Sequence, residues 1–363
     1  MNEQKILADL VSFNTAKDLQ NAKIIAYLQK VIKPFVWHSW IIKTKDNKKA
    51  LVVSSKQDLT NCLIFSGHTD TVPAGQGWKT NPWQLRKVGN KLFGLGSADM
   101  KGSISAMISA VAKVDLKKLR KGVGWIFTFD EEVGFGGVKA VMERLKLKNN
   151  LIVIGEPTEL RPVVASKGVA YYKIEFIGES CHASTPDKGV NAILLAQDFI
   201  LRWQNIFGKA ISKKKSNVFE IPRATLNFGK IFGGDASNKV PDFCSLSFEM
   251  RVLNEKQSRQ IDLRLKRLIR SYGERAKIVE SNFLSPFFCQ NEKIIKFFEN
   301  VSGKKTAGVN YATEAPFYAG QNDVVIFGPG SIKQAHQPNE YIEQEQLARA
   351  CQLYRKLIEK FCR

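Results

Sequence analysis

Short apolar runs alternate with segments of helical spacing over much of the chain. Four such runs stand at residues 62–65, 123–129, 151–154 and 324–327. Each has the length of a strand buried on both faces, and Gly or a polar cluster follows it. Between them, apolar residues recur every three or four positions. Ile104, Met107, Ile108 and Val111 share one helical face, as do Val138, Val141, Met142 and Leu145. Ile25, Leu28 and Ile32 predict a helix near the start; Leu347, Cys351, Tyr354 and Ile358 predict a closing one. Strands alternating with helices predict an α/β domain around a mostly parallel sheet.

The middle of the chain has another order. Residues 171–176, 225–231, 246–253 and 277–280 read as strands, with helices near 190–203 and 261–272. Ile261, Leu265, Leu268 and Tyr272 share the face of the second helix. The order β-α-β-β-α-β is the ferredoxin-like arrangement. The expected division is therefore a larger domain of residues 1–166 and 282–363, with a smaller α+β domain of residues 167–281 inserted into it. A length of 363 residues suits two domains. Residues 208–217, polar and lysine-rich, predict an exposed loop.

Composition narrows the class. At 44% hydrophobic residues the chain can bury ordinary cores and is not a disordered segment. No apolar run approaches the ~20 residues of a membrane span. The start, Met1-Asn2-Glu3-Gln4-Lys5, lacks the apolar core of a signal peptide, so a cytoplasmic protein with no membrane partner is expected. Cys62, Cys181, Cys244, Cys289, Cys351 and Cys362 are scattered, which predicts free thiols. Cys181 beside His182 permits a thiol-protease reading, but stronger motifs surround it. Fifty-five basic against 34 acidic residues leave a net charge of +21. Such a charge can attract nucleic acid or an acidic membrane surface. The basic residues are spread along the chain, however, with the densest runs at Lys213-Lys214-Lys215 and around Lys117, Lys118, Arg120 and Lys121. No recognition-helix or aromatic-basic motif accompanies them, so no specific nucleic-acid partner is expected.

The candidate chemistry follows the strands. The first run leads to Ser66-Gly67-His68-Thr69-Asp70, the second to Asp130-Glu131-Glu132, the third to Gly155-Glu156, and the last to Gly328-Pro329-Gly330 and then His336. Asp99 stands just before a predicted helix. Open α/β sheets bind ligands at the carboxyl ends of their strands. A mixed imidazole and carboxylate set suits zinc, and also cobalt or manganese. Singly, each piece has a plainer reading. His68 could be a turn histidine, Asp99 a helix N-cap, Glu131-Glu132 a solvated helix start and His336 an exposed loop residue. Their joint placement after successive strands favours a metal site.

These motifs resemble the acetylornithine deacetylase/succinyl-diaminopimelate desuccinylase family of co-catalytic zinc hydrolases. The resemblance is carried by the runs from Ser66 to Pro73, Gly96 to Gly102, Asp130 to Glu132, Gly155 to Thr158, Gly229 to Asn238, Asn310 to Phe317 and Gly328 to Pro338. Within that family the last two runs are of the deacetylase kind. The resemblance implies a zinc-peptidase-like catalytic domain with an inserted lid and dimerisation domain. It implies two divalent ions, Zn2+ or alternatively Co2+. His68 and Glu156 would hold one, Glu132 and His336 the other, and Asp99 would bridge them. Asp70 matches a carboxylate that orients His68, and Glu131 the general base. His182 matches an oxyanion donor that dimeric relatives supply from the partner subunit. Arg251, with Asn238 beside it in the lid, is the candidate for a substrate carboxylate, and Glu314 for a substrate ammonium. The implied reaction is hydrolysis of a small acylated amino acid by a homodimer. Acetylornithine comes first; acetylcitrulline and succinyl-diaminopimelate are the alternatives. A basic nucleic-acid or membrane-surface binder on the same fold is the rival from another class. The high basic charge is foreign to the family pattern.

Overall fold

In a computed structural model, which describes residues 2–16, 21–211 and 215–363, the chain forms two compact units. One comprises Met1–Val164, Cys289–Ala307 and Thr313–Arg363; the other comprises Ala165–Phe288 and Gly308–Ala312. The return of Gly308–Ala312 to the inserted unit was not foreseen in the sequence. Lys213 and Lys214 lie outside the described residues.

The sheet of the first unit runs, edge inward, through His38–Lys43, Lys49–Ser54, Val123–Thr128, Leu63–His68, Leu151–Ile154 and Asp323–Ile326. The last four are mutually parallel; the first two form an antiparallel hairpin at the edge. The fold is thus mixed α/β with a mostly parallel centre. Every residue of Leu63–His68, Val123–Thr128 and Leu151–Ile154 is buried, because helices cover both faces. That is why these strands read as continuous apolar runs. The core joins Phe65, Trp125 and Phe127 of the sheet to Ile104, Ile108, Leu347, Tyr354 and Leu357 of the helices. Tyr354 meets Phe65 edge-on at 5.2 Å and Phe327 at 6.0 Å. Burying each such aromatic or aliphatic side chain contributes about 1.5–3 kcal/mol.

Helix Lys101–Val111 is buried along its entire length. Its small residues allow this: a Cβ on Gly102 would lie 2.4 Å from the Ser97 carbonyl oxygen. The helix therefore sits hard against the loop that carries Asp99. Helix Gln344–Cys362 packs beside it.

The second unit holds four antiparallel strands in the order Thr225–Gly233, Phe243–Val252, Gly168–Ile177, Ala276–Leu284. Helices Ala192–Ile211 and Glu255–Arg270 connect them in the β-α-β-β-α-β sequence. Strands Gly168–Ile177 and Phe243–Val252 alternate buried and half-buried positions, since only one face is covered. That face packs Phe176 and Phe248 against Phe199 and Trp203 of the first helix. The first helix continues to Ile211, so residues 208–211, expected as loop, are helical. Among the described residues no helix is long and apolar enough to cross a membrane. All six cysteines are free thiols.

Candidate metal and catalytic site

The parallel strands of the first unit all end at one edge of the sheet, and the predicted residues gather there. His68 is the last residue of its strand and only 1% exposed. Glu156 stands two residues past Leu151–Ile154 and is buried. Glu131 and Glu132 occupy a 3-10 turn after Val123–Thr128. Asp130 makes that turn by taking a φ of 57°, and its carboxylate is held by Lys48. Asp99 precedes helix Lys101–Val111, whose N-cap is Met100, so Asp99 is not the cap. Gly96, at a φ of 78°, lets the chain turn into this loop. The Asp99–Met100 peptide is cis.

Asp99 sits between the two histidines. Its Oδ1 lies 3.1 Å from His68 Nε2, and its Oδ2 lies 3.7 Å from His336 Nε2. A further carboxylate approaches the same Nε2 of each histidine. Glu156 Oε1 is 3.9 Å from His68 Nε2, and Glu132 Oε2 is 2.9 Å from His336 Nε2. One atom each of His68, Asp99 and Glu132 falls within 4.8 Å of the others. His336 is half-exposed and has a φ of 61°. It closes the cluster from the solvent side.

Asp70 touches the back of His68, though not as expected. The His68 Nδ1 lies 3.0 Å from the Asp70 carbonyl oxygen and 3.6 Å from its carboxylate. The carbonyl is therefore the closer partner that orients the ring. The Asp70 carboxylate instead accepts the Glu132 backbone N–H at 3.2 Å, tying the two loops together.

The electrostatics are those of a cation site. Burial pushes the Glu156 carboxyl well above its usual range, and the charges of Asp99, Glu132 and Glu314 add to this. Burial and the Glu156 charge do the same to Glu131. Burial alone would lower His68, yet Asp70, Asp99 and Glu156 hold it well above an ordinary histidine. Glu156 Oε1 and Asp70 Oδ1 are buried and find no hydrogen-bond partner among the described residues. A buried carboxylate oxygen without a donor is costly, and divalent cations would satisfy both the oxygen and the crowded charge. The residues present thus fit a pair of divalent ions.

Glu314 needs correction. It is 1% exposed, with Oε2 3.4 Å from the Ser66 hydroxyl, which in turn bonds Tyr318 at 2.9 Å. Burial pushes its carboxyl up to about 7. It lies behind the site, where its charge acts on Glu131 and Glu156, and offers no open face to a substrate ammonium.

Arg251 and Asn238 also need correction. Both belong to the second unit, but they are not neighbours. Asn238 follows strand Thr225–Gly233 and pairs with the His182 loop: its carbonyl accepts the Ala183 N–H at 3.0 Å, and His182 bridges to Lys239. Arg251 lies at the far end of Phe243–Val252. Eight residues of strand separate Phe243 from Arg251, roughly 25 Å at ~3.3 Å per residue. Arg251 is held by Glu249 through Nη2 at 2.8 Å and Nε at 2.9 Å. His182 is exposed, with Nδ1 2.7 Å from the Ser184 hydroxyl.

Sequence reasoning missed Glu340, Lys101 and Ser66. Glu340 is buried and accepts three backbone N–H groups from the Asp99 loop. Lys101 is 1% exposed, donates to the Phe13 carbonyl at 2.9 Å, and is driven down to about 7 by burial. Ser66 and Lys101 lie within two residues of His68 and Asp99, and Glu340 four residues after His336; that proximity was the one available signal.

Paired imidazole-carboxylate sets bridged by a central aspartate, at the strand ends of an α/β sheet, define a metallohydrolase centre. The sequence profile described as peptidase family M20/M25/M40 matches residues 64–360, and the chain belongs to that family. It is a hydrolase of the M20 type. Over 307 residues it is 36% identical to an acetylornithine deacetylase of Salmonella paratyphi B, covering 83% of this chain and 80% of that one. Solved structures share the fold. An M20 family metallo-carboxypeptidase from Sulfolobus solfataricus superimposes with a TM-score of 0.79 at 16% identity, covering 99% of each chain. A dinuclear metal binding peptidase of the M20 family from Bacillus subtilis gives 0.68 at 14%, covering 99% of this chain and 97% of that one.

Proposed function

We propose that this chain is a cytoplasmic two-metal amide hydrolase that converts N2-acetyl-L-ornithine to L-ornithine and acetate, a step of arginine biosynthesis. One observation carries the two-metal part: the two oxygens of Asp99 are directed at His68 and His336 from between them. His68 and Glu156 would hold one ion, Glu132 and His336 the other, with Asp99 shared. A bound pair of divalent ions, zinc in the first instance, would lower the pKa of water and polarise the acyl carbonyl. Glu131, adjoining Glu132 and half-buried, would take the proton from the attacking water and pass it to the leaving amine nitrogen. The deacetylase relative at 36% identity supports acetylornithine as substrate. Arg251 would take the free α-carboxylate, which must then displace Glu249 from the guanidinium.

The test is kcat/KM over acetylornithine, acetylcitrulline, succinyl-diaminopimelate and acetylmethionine. Acetylornithine should give the highest value. A higher value for any of the others would overturn the substrate and leave the chemistry standing.

The proposal includes a homodimer formed through the second unit. Asn238 and His182 stand at one end of that unit's sheet and Arg251 at the other, farther apart than one small substrate can span. If all three serve a substrate, they do so from two chains. Strand Thr225–Gly233 is a sheet edge with Phe232 65% and Ile231 54% exposed, and Leu194 and Leu201 are exposed on the helix of the same unit. Bare apolar edges invite pairing with a second copy. Mixing inactive Glu131→Gln chains with inactive His182→Ala chains should therefore recover part of the activity, because heterodimers join an intact base to an intact His182. No recovery, with subunit exchange verified, would remove His182 from the partner's site.

A further inference from the structure

We infer that Glu340 is a positioning residue that fixes the Asp99 bridge to the His336 loop and so sets the affinity of the metal pair. The inference rests on the two-metal reading above. Glu340 lies four residues after His336 and is 2% exposed. Its Oε2 accepts the Gly96 N–H at 2.7 Å. Its Oε1 accepts the N–H groups of Ala98 at 2.8 Å and of Asp99 at 3.0 Å. Its own carbonyl accepts the Gly94 N–H at 3.0 Å. One carboxylate thus closes the whole turn that presents Asp99, and it does so from the loop that presents His336.

The loop on the Glu340 side is itself fastened. Asn339 accepts the Lys79 N–H at 2.7 Å and donates to the Gly77 carbonyl at 3.0 Å. The chain then enters Tyr341–Glu343, which pairs with Lys91–Phe93. Asp99 cannot shift sideways without breaking Glu340's bonds, and His336 cannot withdraw without pulling on the same chain. Two loops separated by more than 240 residues are so coupled at their metal-facing ends. The N–H donors converge on Glu340 as they would on a bound anion. The carboxylate belongs to the protein, however, and its role is to hold Asp99 where both histidines can share it.

Glutamine is the informative replacement. Its single carbonyl oxygen can still serve Ala98 and Asp99, but its NH2 group meets the Gly96 N–H, donor to donor. The turn should loosen without losing its packing. The test uses the full-length chain, stripped of metal, with zinc alone as probe in competition with a chromophoric chelator. For Glu340→Gln we expect zinc affinity to fall ~10- to 100-fold, the usual effect of removing a group that orients a metal ligand. Turnover at limiting zinc should fall with it and return when zinc is raised, while KM for the acylated substrate stays unchanged. Glu340→Asp, which keeps both oxygens, should recover part of the affinity; it also serves if the glutamine variant fails to fold. Tyr172→Phe, which removes the 2.8 Å bond to Asp262 in the other unit, gives the pattern of a merely structural loss: lower thermal stability with unchanged zinc affinity. Folded Glu340 variants that bind zinc as tightly as the parent would overturn this inference and leave the metal site standing. A parent chain that takes up no zinc would overturn the two-metal reading and this inference with it.

Discussion

Glu131→Gln is expected to bind metal normally and to lose ~10²–10⁴ in kcat, the usual worth of a positioned general base. The two halves of that expectation come from different observations. Glu132, the next residue, points at His336 at 2.9 Å, and Glu156 and Asp99 face His68, so the proposed ligand set does not need Glu131. Glu131 nevertheless lies within reach of the charges of Glu156, Glu132 and His68. A glutamine of the same size keeps the turn after Val123–Thr128 and removes only the ability to accept a proton. Metal content by elemental analysis and kcat on the same preparation decide the matter. Equal loss of both would make Glu131 a ligand, and a near-normal kcat would remove it from the chemistry.

Removal of metal should have the other large effect, abolishing hydrolysis rather than slowing it. Without cations the site is a cluster of carboxylates around two histidines, with Glu156 and Glu131 driven toward their protonated forms. A protonated Glu131 cannot accept a proton from water, and without a divalent ion the proposed reaction lacks the Lewis acid that would polarise the amide carbonyl. The same crowding predicts that the stripped protein rebinds divalent ions readily, since binding relieves repulsion that folding has imposed.

How much of this was legible in the sequence differs by element. The parallel strands were, because burial on both faces turns each into an uninterrupted apolar run that ends abruptly at a polar motif. Val123–Thr128 into Asp130-Glu131-Glu132 is the clearest case. The hairpin of His38–Lys43 and Lys49–Ser54 was not. It lies at the sheet edge, where Ile41 remains 41% exposed and no strict alternation is enforced. Helix Glu3–Val11 buries Ile6, Leu7, Leu10 and Val11, but nine residues are too few to display the helical period. The gathering of His68, Asp99, Glu132, Glu156 and His336 was legible as a set, since each follows or precedes a recognisable element. Partnerships formed only in three dimensions were hidden. Glu314 reads as a partner for a substrate ammonium, yet the chain buries it against Ser66, a residue distant in sequence. Asn238 and Arg251 are near in sequence, and an intervening extended strand carries them apart. The role of Glu340 was hidden because the N–H groups it collects are distant in sequence.

The most direct measurement is a zinc titration of metal-free protein, following acetylated-substrate hydrolysis and bound metal together. Activity should be absent at the start and rise to its full value as two ions bind each chain. Full turnover in a preparation that elemental analysis finds free of metal would contradict the two-metal account.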